Sequence, residues 1–263
     1  MDKINKNETN SDSEEEIGLG GSLIVEELET YKYEFYDDIK IEIEGQELQN
    51  VNIQPSTGLL PWPASRVLSL YISKYKEEFI GKDVVELGSG VGLCGLVSSK
   101  YTNFTLFTDG DEKSLPLLRD NVQSNSNLFN NKINNNNNSN NNNDRISIER
   151  LYWGNNQPTL DSFKEKYSNK YNFDIVIGSD LIYVDASIEP LFFTVDSILN
   201  TNKSGVGKGT FYLSFLDRKN HFPILKSVSE KYNFTMENIE LNTFINYEAS
   251  TMARMFIFKR NNK

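Results

Sequence analysis

Apolar and polar side chains alternate from Tyr31 to Ile43 in YKYEFYDDIKIEI, with Asp37-Asp38 at the centre. Residues two apart share a strand face, so this pattern predicts an antiparallel β-hairpin at the edge of a domain. The period changes after the turn-rich QPSTG. Between Ala64 and Phe79, the residues Leu68, Tyr71, Ile72 and Tyr75 follow the i, i+3, i+4, i+7 spacing of one helical face, which predicts a helix packed on the core.

Further along, short apolar runs alternate with helical periods. Strands are predicted at Asp83–Leu87, Phe104–Asp109, Arg145–Leu151, Phe173–Ser179 and Gly209–Leu216, and helices near Leu93–Lys100, Leu115–Ser124, Ile188–Leu199 and Phe222–Tyr232. Such alternation demands parallel strands joined by right-handed crossovers, hence an α/β, doubly wound, mostly parallel sheet. The last apolar runs, Phe234–Leu241 and Ala253–Lys259, have no helix between them and are expected to form an antiparallel C-terminal edge.

Two segments break the pattern. Residues 1–22, with the run SDSEEE, carry charge and few large apolar groups, so a disordered acidic tail is expected there. Residues 23–56 are assigned to the hairpin extension and 57–263 to the main domain. Within it, 130–143 is almost wholly asparagine and is expected to be a disordered insertion. It follows a helix and precedes the third strand, and helix-to-strand loops of a doubly wound sheet lie opposite the ligand end.

Composition narrows the classes. A chain of 263 residues suits one core, and 37 acidic against 27 basic side chains give a net charge of −10. That sign repels phosphate backbones and steers basic protein segments inward, so nucleic acid is not an expected partner. No run approaches the ~18 apolar residues of a membrane span, and no membrane partner is expected. Cys94 is the single cysteine, cannot close an internal disulfide, and is expected to be a small buried apolar residue. With an N-terminus lacking an apolar signal core, this points to the cytoplasm, with the nucleus as a second compartment.

The candidate chemistry starts at Glu86-Leu87-Gly88-Ser89-Gly90-Val91-Gly92, after a strand and before a helix. Glycines at 88 and 90 permit a sharp turn and the close approach of a ligand. A dinucleotide site, a nucleoside site without phosphates and a purely structural turn all fit such a loop. The dinucleotide fingerprint needs a third glycine where Leu93 stands, and no Gly-Lys-Ser/Thr follows as in a P-loop. Asp109, at the end of the next strand, is placed to accept hydrogen bonds from both ribose hydroxyls, as acids at this position do in either kind of nucleotide site.

The run VVELGSGVGLCGL resembles the first motif of the seven-β-strand, S-adenosylmethionine-dependent methyltransferases. Its surroundings resemble the methyltransferase-like branch that contains protein lysine methyltransferases. The likeness extends from Thr57 to about Leu199, more weakly to Lys259, and includes TGLLPWPAS around Trp62, TDGDE around Asp109, LYWG around Trp153 and SDLIY from Ser179 to Tyr183.

The resemblance implies a Rossmann-like seven-stranded sheet and S-adenosyl-L-methionine as cofactor, with no metal. It implies that Gly88, Ser89 and Gly90 pass beneath the methionine moiety and ribose, that Asp109 holds the ribose diol, and that Trp153 lies against the adenine. Trp62 would close over the cofactor from the N-terminal side, Glu86 would order the glycine loop and reach the methionine end, and Ser179 would contact the cofactor. Asp180 and Tyr183 would receive the methyl acceptor. Enzymes that methylate planar amino groups commonly carry an N/D-P-P-Y element there, and SDLIY lacks the proline pair, which favours a flexible amine. A protein lysine is therefore the expected acceptor, on a partner such as a chaperone or a translation-related protein, with the enzyme acting as a monomer. A protein histidine or arginine, a small metabolite, or an idle cofactor-binding protein are the alternatives. His221 follows the fifth strand and is expected to be a solvated loop residue.

Overall fold

The computed structural model describes residues 28–47, 56–130, 145–155, 158–167, 173–199, 209–245 and 252–261. The acidic tail expected at 1–22 and nearly all of the asparagine run lie outside the described residues.

Strands β1 (Leu28–Phe35) and β2 (Ile39–Gln46) form the antiparallel hairpin, pairing from Leu28 with Gln46 to Phe35 with Ile39. Asp37 and Asp38 turn the chain with φ of 62° and 53°, a left-handed conformation that aspartate tolerates better than most residues. Alternation sends Ile39, Ile41 and Ile43 into the core while Lys40, Glu42 and Glu44 stay exposed. Helix α1 (Pro63–Lys74) opens on a proline, whose missing N–H costs nothing at the first helical position. It ends earlier than its apolar period predicts. A 3-10 turn over Lys76–Glu78 replaces its last turn and brings the buried Phe79 to 5.0 Å from the ring of Tyr212.

The remaining chain alternates as expected through β3 (Asp83–Leu87), α2 (Leu93–Ser99), β4 (Phe104–Asp109), α3 (Ser114–Ser124), the short α4 (Asn127–Asn130), β5 (Ile146–Arg150), α5 (Pro158–Tyr167), β6 (Ile175–Ser179), α6 (Asp185–Leu199), β7 (Thr210–Leu216), α7 (Phe222–Lys231), β8 (Phe234–Asn238) and β9 (Ala253–Arg260). Helix α5 is not among the elements that the periodicity predicts. Its buried Leu160, Phe163 and Tyr167 keep helical spacing, but polar residues between them dilute the signal.

The sheet has the order β5-β4-β3-β6-β7-β9-β8, with β3 to β7 mutually parallel and β9 antiparallel to both β7 and β8. The C-terminal run thus inserts beside β7, leaving β8 as the edge. Neighbouring residues of a strand serve opposite cores: Val84 joins α1, α2, α3 and the hairpin, whereas Val85 joins α5, α6 and α7. Burial on both faces explains why these strands read as continuous apolar runs.

The hairpin is fastened to α3 by two asparagines one turn apart. Asn125 accepts the N–H of Glu42 at 3.3 Å and donates to its carbonyl at 2.7 Å; Asn121 does the same for Glu44 at 2.8 and 2.9 Å. Side-chain amides thereby satisfy the backbone of β2 on the side where, among the described residues, no further strand pairs with it. Asn121 also donates to the carbonyl of Val91 at 3.1 Å, joining the hairpin to the glycine loop.

Candidate active site

The order in which strands are added reverses at β3: β4 and β5 extend the sheet one way, and β6 and β7 the other. Crevices form at the carboxyl ends of strands at such a switch point. A cavity of about 400 Å³ lies there, and its lining includes Trp62, Glu86, Gly88, Ser89, Gly90, Asp109, Trp153, Ser179, Asp180 and Tyr183. The structure therefore brings together every site residue expected from the sequence.

The glycine loop needs its glycines. Gly88 and Gly90 adopt φ of 58° and 51°, and a Cβ on Gly90 would sit 3.1 Å from the carbonyl oxygen of Gly58. A Cβ on Gly88 would meet Leu181 at 2.6 Å and the Trp153 ring at 3.3 Å. Ser89 ties the loop to β4, its N–H donating to the Thr108 carbonyl at 2.9 Å and its hydroxyl accepting from Thr108 N–H at 3.1 Å.

Asp109 is buried at the end of β4. One carboxylate oxygen accepts the N–H of Gly90 at 2.8 Å and the other the N–H of Asp111 at 2.8 Å. Burial raises its pKa, against the opposing pull of those two N–H groups. Each oxygen keeps a further lone pair for a ligand. Glu86, at the next-to-last position of β3, is 2% exposed, and burial pushes its carboxyl up to about 8. Ser89 and the Gly95 N–H pull it partly back, yet Oε2 has no hydrogen-bond partner among the described residues. Buried polar atoms are almost always paired, and this one lines the cavity, where a donor from a ligand could reach it.

On the other side of the crevice, Asp180 follows β6 in the left-handed conformation, with φ of 53°. Its Oδ2 accepts the N–H of Ala64 at 2.8 Å, and its Oδ1 accepts the N–H of Leu216 at 3.1 Å. The carboxylate thus clamps the start of α1 and the end of β7 while lining the cavity. Burial raises its pKa, and the two backbone donors lower it. Tyr183, half-exposed, forms the rim. Trp62 is held by donation from its indole N–H to the Thr57 carbonyl at 2.8 Å. Ser179 lies 3.6 Å from the thiol of Cys94, which is buried as expected.

Gly58, Asp111, Tyr152, Leu181 and Pro190 also line the cavity and were not singled out. Four of them lie within the quoted motifs, so proximity to the expected residues is the available signal; Pro190 comes from the middle of α6 and has none. The expectation for His221 is corrected. It is 3% exposed, because Asp217 Oδ1 lies 2.9 Å from its Nδ1 and draws the ring inward.

The fold is that of the seven-stranded Rossmann-like methyltransferases. It superposes on the methyltransferase from Pyrococcus furiosus with a TM-score of 0.50 at 15% identity, covering 74% of this chain and 83% of that one. The T. thermophilus 16S rRNA N2 G1207 methyltransferase, in complex with AdoMet and guanosine, gives 0.50 at 12% identity over 89% of this chain and 51% of its own. The chain belongs to the lysine methyltransferase family, whose sequence model matches residues 43–222. Among its relatives, the calmodulin-lysine N-methyltransferase of Arabidopsis thaliana is 28% identical over 57% of this chain and 43% of its own length. The protein N-lysine methyltransferase METTL21A of Mus musculus is 28% identical over 54% of this chain and 55% of its own. The chain spans about half the length of these relatives.

Proposed function

We propose that this protein transfers a methyl group from S-adenosylmethionine to a lysine side chain of a protein substrate. The observation that carries this reading is the division of one cavity into two kinds of end: buried, ligand-ready carboxylates of Glu86 and Asp109 inside, and a half-exposed Tyr183 at the rim.

The lining fits that cofactor chemically. Asp109 has acceptor capacity left for a ribose diol after binding Gly90 and Asp111. The unpartnered Glu86 Oε2 suits a cationic amino group, which would return the carboxyl to its ionised form. Trp153, against the glycine loop, offers a rigid face for a purine. Bound there, S-adenosylmethionine supplies an electrophilic methyl group on a sulfonium, open to in-line attack by a neutral amine.

The chain's own residues must then receive and orient that amine. At pH 7 deprotonating a lysine of ordinary pKa costs about 4.6 kcal/mol. A cavity that excludes water and holds a nearby cation reduces this cost. Asp180 keeps unused lone pairs beyond its bonds to Ala64 and Leu216, so it can accept an N–H from the neutral amine and aim its lone pair inward. Tyr183 lines the path from the rim. The acidic chain, with its net charge of −10, favours approach of a basic segment.

The test is to incubate the protein with radiolabelled cofactor and an extract of cells lacking it, then to hydrolyse labelled proteins to amino acids. Methylated lysine is expected. Labelled histidine or arginine would change the acceptor. Label confined to small molecules would indicate a metabolite substrate, and no transfer alongside tight cofactor binding would indicate an idle binding protein.

A further inference from the structure

His221 does not line the cavity, yet both of its ring nitrogens face carboxylates. Nδ1 lies 2.9 Å from Asp217 Oδ1, which also accepts the backbone N–H of His221 at 2.9 Å. Nε2 lies 3.3 Å from Asp185 Oδ1, within ion-pair reach but not aligned as a hydrogen bond, so it has no hydrogen-bond partner among the described residues. The two acids come from different elements: Asp217 leaves β7, and Asp185 opens α6.

Between the clamp at Asp180 and the contact at Asp185 runs the stretch that carries Tyr183. Asp180 is tied to β7 twice, by its N–H to the Ser214 carbonyl at 2.8 Å and by its carboxylate to the Leu216 N–H at 3.1 Å. Asp185 returns to the chain just beyond the same strand through His221. Leu181 and Ile182 are buried in the core, and the Val184 carbonyl accepts the N–H and hydroxyl of Ser187 at 3.0 and 2.7 Å, whereas the side chains of Tyr183 and Val184 are 50% and 47% exposed. Asp180 and Asp185 add an anchor at each end of this stretch.

We propose that His221 is a positioning residue that, through Asp185, fixes the rim stretch Asp180–Asp185 and so sets where the methyl acceptor meets the cavity. The clasp is a property of the fold. Its consequence for catalysis rests on the methyltransferase reading above.

Asp185→Asn is the first variant, because this side chain is 69% exposed and its loss leaves the core intact. Hydrogen exchange of the full chain is expected to quicken at least about fivefold across residues 180–187, with β3 and the glycine loop unchanged. Cofactor affinity by calorimetry should stay within about twofold of wild type. Transfer to the extract proteins at saturating cofactor should fall about ten- to a hundredfold, as misplacement of a reacting partner does. His221→Ala should act alike, and the double variant should be no worse than the worse single. If His221→Ala fails to fold, Asp185→Asn decides alone. Unchanged exchange at 180–187, an unchanged transfer rate, or cofactor affinity lost in step with transfer would each overturn the positioning role. A wild-type protein that transfers no label would overturn the methyltransferase reading instead, while the exchange measurement still decides the clasp.

Discussion

The carboxylate of Asp180 accepts the backbone N–H of Ala64 at 2.8 Å, across 116 positions of sequence. This bond fixes the start of α1, and with it Trp62, against the end of β6. One side chain thereby sets both the wall of the cavity and a group at its acceptor end.

Asp180→Ala should accordingly lose stability as well as activity. Two charge-assisted hydrogen bonds disappear, and alanine is strained where φ is 53°, so about 2 to 4 kcal/mol of unfolding free energy should be lost. Turnover should fall by roughly two to four powers of ten. Asp180→Asn tolerates the left-handed backbone better and keeps one acceptor, so urea unfolding should place it between wild type and alanine. An alanine variant as stable and active as wild type would remove both roles.

Asp109→Ala should act at the other end of the cavity. It removes the acceptor for the Gly90 N–H together with the group proposed to hold the ribose, so cofactor affinity should weaken by about 1.5 to 3 kcal/mol. Calorimetry on the folded variant gives the number. Unchanged affinity would take Asp109 out of the binding site.

Glu86 predicts a pH dependence with a definite sign. Burial raises its carboxyl from 4.5 to about 8, so the folded state holds a proton that the unfolded chain has released. The carboxyl destabilises nothing below about 4.5, lowers stability by up to about 1.4 kcal/mol per pH unit between there and about 8, and adds no further loss above. The stability gained by Glu86→Gln over wild type should therefore grow across that window, as followed by chemical denaturation at several pH values. If a cationic amino group docks on Glu86, cofactor binding at pH 7 should release up to one proton in wild type and none in the glutamine variant. Calorimetry in two buffers of different ionisation enthalpy measures that release, and equal release from both proteins would sink the assignment.

Asn121→Ala should couple the hairpin to the cofactor loop. It cuts the bonds to Glu44 and to the Val91 carbonyl and leaves buried backbone groups unpaired, at about 2 to 3 kcal/mol. Limited proteolysis should then cut within the hairpin sooner, and cofactor affinity should drop modestly because Val91 adjoins Gly90. Asn125→Ala lacks the contact with Val91 and should loosen the hairpin while sparing the cofactor. Equal effects of the two variants on cofactor affinity would argue against this coupling.

Much of this protein is legible along the chain because its information is local. The 2- and 3.6-residue periods place the hairpin and most strands and helices, and the parallel order follows from their alternation. Glu86, Gly88, Ser89, Gly90, Asp109, Trp153, Ser179, Asp180 and Tyr183 all stand at or just after the carboxyl ends of strands, so a motif and its strand suffice to bring them to one crevice. Helix α5 is not legible because Lys164, Glu165 and Lys166 interrupt the short apolar series Leu160, Phe163 and Tyr167, which packs against Phe104 and Phe173.

What the tertiary structure alone decides are the partners far away in sequence. No local pattern pairs Asp180 with Ala64, presents Asn121 to both Glu44 and Val91, or inserts β9 between β7 and β8. His221 reads as a polar loop residue by its neighbours and becomes buried because Asp217 and Asp185 converge on it from two elements. Periodicity reports which face of an element is apolar. Which polar groups meet across that face depends on how the elements dock, and that is set by the packing of the whole sheet and its helices.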